Sequence, residues 1–107
     1  MAVLKQTVDC TRRMVVYAVF DVLEQMNGDY EQKEIGDIKA EISILGNRSE
    51  YALAITEQSL DTSILHITML RPAPGLTEKE KELAVRYLMY SILQHIDDVR
   101  ASGSSTK

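Results

Sequence analysis

The feature that most constrains this chain is a change of hydrophobic period near its middle. Ile38, Ala40, Ile42 and Ile44 alternate with Lys39, Glu41 and Ser43, the period-two pattern of a strand with one buried face. Gly46-Asn47-Arg48-Ser49 reads as a hairpin turn, because Gly and Asn tolerate the positive φ that short turns require. A second strand follows, with Tyr51, Leu53 and Ile55 inward and Ala52, Ala54 and Thr56 outward. Residues 59–62 turn the chain again into a third strand, which points Leu65, Ile67 and Met69 inward and Ile64, His66, Thr68 and Leu70 outward. Both links are too short for a crossover, so the three strands form an antiparallel meander.

On either side the period returns to that of a helix. Over residues 7–26, Val8, Thr11, Val15, Ala18, Val19, Val22, Leu23 and Met26 share one helical face. Thr7 is placed to cap this helix, Asp9 suits its positive end, and Asn27-Gly28 supplies a stop. Residues 29–34 read as a polar connection. After the sheet, Arg71-Pro72-Ala73-Pro74-Gly75 breaks any ladder, and Thr77 with Glu80 makes a capping box. It opens a helix to about Arg100, with Val85, Leu88, Met89, Ile92, Ile96 and Val99 as its stripe. The predicted fold class is α+β: a two-layer α-β-β-β-α domain, with a three-stranded antiparallel meander and two helices on one of its faces.

With 107 residues there is room for one domain, assigned to residues 1–101, and the small polar residues 102–107 are expected to form a disordered tail. Twelve Lys and Arg against sixteen Asp and Glu give a net charge of −4. That balance argues against a nucleic-acid or anionic-membrane footprint. The apolar run 14–20 is followed at once by Asp21 and Glu24, and it is far shorter than the roughly 20 residues of a membrane span. The single Cys10 suits a reducing compartment, so the expected location is the cytoplasm.

Filling the core leaves apolar residues over. Cys10, Met14, Tyr17 and Phe20 fall behind the first helix stripe, and Leu83, Tyr87 and Tyr90 behind the second. Aromatic residues in such positions are enriched at protein interfaces, so Met14, Tyr17, Phe20, Leu83, Tyr87 and Tyr90 are the candidate interface. Side chains that fill the seam between the two helices, or that simply stay half exposed, explain the same residues equally well. On the other side of the sheet, Ala52 and Ala54 form a shallow trough beside His66 and Thr68, a candidate small-molecule site.

Catalytic signals are weak. Cys10 has no nearby histidine to activate it and reads as a packing residue. His66 and His95 are assigned to different faces, and no CxxC or HExxH spacing supports a metal site. Glu78, Glu80 and Glu82 make the start of the last helix a poor phosphate cradle. In broad organisation the chain resembles small acidic secretion chaperones, which dimerise and bind extended client segments. The likeness is one of fold alone; it is the surplus of apolar surface on both helix backs and on the free sheet face that points to self-association, as a homodimer by the commonness of that symmetry, and to a protein partner. The resulting expectation is a non-catalytic, self-associating protein-interaction domain without cofactors. The alternative is a small-molecule-binding domain using the free sheet face.

Overall fold

The alternating segments become strands with the inward faces expected of them. β3 (Asp37–Ile44) buries Ile38, Ala40, Ile42 and Ile44. β4 (Asn47–Ser59) buries Tyr51, Leu53 and Ile55, and β5 (Thr62–Arg71) buries Leu65, Ile67 and Met69. The computed structural model describes residues 2–34 and 37–105, apart from the side chains of residues 33–34 and 102–105. Its class is α+β, with both helices on one face of an antiparallel sheet.

The sheet is wider than the expected meander. β1 (Val3–Val8) pairs with β5 and β2 (Asp29–Glu34) pairs with β3, so the order is β1-β5-β4-β3-β2 with every pairing antiparallel. Both added strands lie at edges. Edge strands meet solvent along one side and are commonly blunted by charge. Hence β2, Asp-Tyr-Glu-Gln-Lys-Glu, carries no apolar alternation and reads as a connection, while the end of β1 runs into the helical period that follows it.

That correction moves the first helix. α1 (Arg12–Gln25) starts after Thr11, whose Oγ1 accepts a hydrogen bond from Met14 N at 3.2 Å, so Thr11 and not Thr7 is the cap. Val8 belongs to β1, and Cys10 precedes the helix. The stop lies where expected: Asn27 adopts φ 54° and Gly28 N donates to Leu23 O at 2.9 Å. Gly28 is needed for space, since a Cβ there would run into Ile42 Cγ2. The β3–β4 turn is centred on Leu45 and Gly46, with φ of 53° and 85°. That is two positions earlier than the expected turn, with the two positive φ values that a tight hairpin favours.

α2 (Glu78–Ser105) opens with the expected capping box. Thr77 N donates to Glu80 Oε1 at 2.8 Å, and Glu80 N donates to Thr77 Oγ1 at 3.1 Å. The helix runs past Arg100 through Ser105, into the segment expected to be disordered; Thr106 and Lys107 lie outside the described residues. At 1.5 Å per residue it is about 42 Å long, and it sets the long axis of a body measuring 48 × 25 × 23 Å.

Between the layers, Val15, Val19, Val22 and Leu23 of α1 meet Val85, Leu88, Met89, Ile92 and Ile96 of α2 over the inward strand residues. Each such side chain removed from water contributes about 1.5–3 kcal/mol. Leu88 and Ile92 are 0% exposed, so the space beneath α2 is filled. Any cavity must then lie beside the helices or on the far face of the sheet. Among the described residues one buried side-chain polar atom lacks a hydrogen-bond partner, Tyr51 Oη. Its neighbour Ser49 already accepts from Ala73 N at 2.9 Å. Burial, only partly opposed by Ser49, raises the Tyr51 pKa above its ordinary value.

Candidate functional site

Helical spacing places Met14, Tyr17, Ala18 and Asp21 along the side of α1 that faces α2, at i, i+3, i+4 and i+7. His95, Ile96 and Val99 answer them from α2. Ala18 is too small to fill the seam, and the two stripes leave a cavity of about 270 Å³ lined by these residues with Thr11 and Arg13. Ala18 and Ile96 are buried and form its floor. At one end His95 Nε2 and Asp21 Oδ2 approach to 3.0 Å and tie the helices together. At the other end Arg13 lies over the Tyr17 ring, 5.7 Å from its centroid. Among the described residues Arg13 has no ion pair, whereas Arg12 beside it donates from Nε to Ile55 O at 3.0 Å.

The six expected interface residues are not brought together. Met14 and Tyr17 form the groove wall. Phe20 turns to the other side of α1 and stacks on Tyr30 of β2, with ring centroids 5.4 Å apart, while the Tyr30 hydroxyl donates to Glu24 Oε1 at 2.9 Å. Leu83, Tyr87 and Tyr90 are exposed on α2, spaced at i, i+4 and i+7 on the side opposite its buried stripe. Phe20 thus has an intramolecular partner, which the sequence hid because β2 carries no strand pattern.

The sheet-face trough is present. Ala52 and Ala54 sit opposite Thr68 and His66 in the β4–β5 register, and both alanines line a hollow of about 440 Å³ with Asp37, Lys39 and Leu70. His66 and Thr68 flank the hollow from β5. Its floor is a flat sheet and its rim carries charges of both signs, so it encloses a ligand less well than two helices do.

The remaining candidates are separated from one another. Cys10 is buried, with its thiol pKa raised chiefly by that burial against the opposing charge of Arg100. Its carbonyl accepts from Ser63 Oγ at 2.9 Å, which anchors the β1–α1 connection. His66 lies on the free sheet face and His95 in the helix layer. Among the described residues no group of three or more His, Cys, Asp or Glu is gathered for a metal ion, and no helix is long and apolar enough to cross a membrane. The interhelical groove leaves no mark in the sequence pattern, because its two walls are far apart in sequence and its cause, a small residue at Ala18, fits the helical period as well as a large one.

Fold and site together define an antiparallel α+β domain whose helix layer holds a small, mainly apolar groove. No protein-family model matches the chain, and no curated protein matches it. Solved structures do. An uncharacterised protein from Bacillus thuringiensis superposes with a TM-score of 0.52 at 10% identity, covering 92% of this chain and 96% of that one. A START superfamily protein from Mycobacterium smegmatis gives 0.53 at 11% identity, covering 92% of this chain and 99% of that one. At these identities the likeness is one of fold.

Proposed function

We propose that this chain is a non-catalytic binding domain for a small apolar molecule, held in the groove between α1 and α2. The observation that carries this reading is the cavity of about 270 Å³, floored by buried Ala18 and Ile96 and bridged at one end by His95 and Asp21. Apolar walls with a few convergent polar groups are the usual make-up of a ligand site. The likeness to a START superfamily protein supports a ligand-binding role at the level of fold alone. The buried Cys10 and the separation of the two histidines favour binding over catalysis. A single, buried cysteine also fits a cytoplasmic setting.

The test is a panel of apolar metabolites scored by melting temperature. A ligand at a hundred times its Kd stabilises the fold by about 2.7 kcal/mol. Stabilisation should be lost in Val99→Trp, which fills the groove from its exposed end, and kept in Ala54→Phe, which fills the sheet trough. The opposite pattern transfers the site to the sheet face.

A second reading, self-association as a homodimer that binds a protein partner, is favoured by the exposed stripe Leu83, Tyr87 and Tyr90. Contiguous apolar surface of that kind often marks a contact.

A further inference from the structure

Resting on the groove as the binding site, we propose that its ligand is a small apolar carboxylate, bound with the anionic end at Arg13 and the hydrocarbon between Ala18, Ile96 and Val99.

The charges at the two ends of the groove are unlike in one decisive respect. Asp21 has a hydrogen-bonding partner, His95, at 3.0 Å. Arg13 has no ion pair among the described residues; it lies over the face of Tyr17 and also borders a hollow on the other flank of α1 that Glu57 shares without an ion pair to it. A ring face attracts a guanidinium but leaves its five donors free. Their fork matches a carboxylate in two parallel hydrogen bonds, which an alcohol cannot reproduce.

Just before α1, Arg100 of α2 and Asp9 act on the Cys10 thiol with opposite sign, the arginine more strongly. The first turn of α1 itself, which holds Arg12 and Arg13, contains no acidic residue. The acid excess of the chain falls elsewhere, in residues 31–70, which hold seven of its sixteen carboxylates against three cations. An anion is therefore favoured at Arg13 in spite of the net charge of −4.

Size narrows the class. Arg13 and Asp21 are eight residues apart, about 12 Å along the helix. A volume of about 270 Å³ corresponds to about nine water-sized groups at ~30 Å³ each. A straight-chain acid of about eight carbons, or a phenylalkanoic acid, has that length and bulk, whereas a long-chain lipid exceeds it.

The experiment is calorimetric titration of the full chain with octanoate, 3-phenylpropanoate, 1-octanol and octylamine. It uses the wild type, Arg13→Gln, Arg13→Lys, Ala18→Leu and Val99→Trp, with melting curves to show that each variant is folded. Octanoate or phenylpropanoate should bind at least tenfold tighter than octanol, and octylamine should be weakest. Arg13→Gln should weaken the acids about tenfold or more and leave octanol unchanged, and Arg13→Lys should recover part of the loss. Val99→Trp, and Ala18→Leu where it folds, should abolish both.

Equal binding of acid and alcohol, or indifference of the acids to Arg13→Gln, overturns the carboxylate assignment while leaving the groove intact. Acid binding that survives Val99→Trp overturns the groove itself. Failure of both acids to bind at millimolar concentration overturns the proposal outright.

Discussion

Asp21 Oδ2 lies 3.0 Å from His95 Nε2, joining positions 74 residues apart and forming the one side-chain hydrogen bond between the two helices among the described residues. Apolar packing below them holds the helices against the sheet. The polar contact fixes how the helices sit beside one another at one end of the groove, so it bears on the width of the site more than on the stability of the fold.

The stability consequence should accordingly be small. The Asp21 side chain is 56% exposed, and exposed ion pairs contribute about 0–1 kcal/mol. Asp21→Asn and His95→Gln should each lower the unfolding free energy by less than about 1 kcal/mol. Urea unfolding in a double-mutant cycle should give a coupling within the same limit. A coupling of several kcal/mol would mean that the pair organises the helix layer.

Gly28 provides a sharper structural test. It follows the left-handed Asn27 that ends α1, and its missing side chain leaves room for Ile42 Cγ2. Gly28→Ala must push Ile42, the end of α1 or both. Such overpacking should cost about 1–3 kcal/mol, read as a lower urea midpoint with little change of slope. Gly46, also glycine but at a turn with nothing near its missing Cβ, should respond to Ala through its φ of 85° and not through a clash.

Positions 27–28 also show what was legible in the sequence. The Asn-Gly stop, the Thr77–Glu80 capping box and the alternation through β3, β4 and β5 are local signals, written within a few residues, and each appears in the structure. β1 and β2 were not legible, because an edge strand needs only one partner and no continuous apolar face, so Asp29–Glu34 carries charge where a central strand would carry Val or Ile. The inward faces of the strands were correct, and the core followed from them. The groove was hidden for a different reason. It exists because Ala18 and Ile96, 78 positions apart in the chain, line it from facing helices, and a one-dimensional pattern holds no record of which stripes will face each other. Phe20 shows the same effect, since its partner Tyr30 lies in a segment that reads as loop.

The buried phenol of Tyr51 predicts a pH dependence. Its pKa is raised by burial, so above pH of about 10, the ordinary tyrosine value, the unfolded chain loses a proton that the folded chain keeps. The unfolded state then binds fewer protons than the native state, and stability falls as pH rises. Cys10, whose thiol is also raised by burial, acts in the same direction from its own ordinary range upward. Tyr51→Phe should flatten the alkaline limb of a plot of melting temperature against pH. At neutral pH it should be neutral or slightly stabilising, because the hydroxyl it removes has no partner to lose. A loss of more than about 1 kcal/mol at pH 7 would reveal a hydrogen bond or ordered water at Tyr51 Oη.

The last prediction separates the ligand-binding reading from self-association. Tyr87 and Tyr90 are 46% and 65% exposed on α2, so Tyr87→Glu and Tyr90→Glu bury no charge in a single copy. Both should change its stability by no more than about 0.5 kcal/mol. Ile92→Ala, on the opposite face of the same helix, should cost about 2–5 kcal/mol through the cavity it leaves. If the domain acts alone, sedimentation at micromolar concentration should return a 12.1 kDa species for the wild type and both glutamate variants. A wild type of twice that mass, dissociated by Tyr90→Glu with no loss of monomer stability, would establish the α2 stripe as a dimer contact. The groove on the other flank of the helix layer would then have to be tested in the dimer.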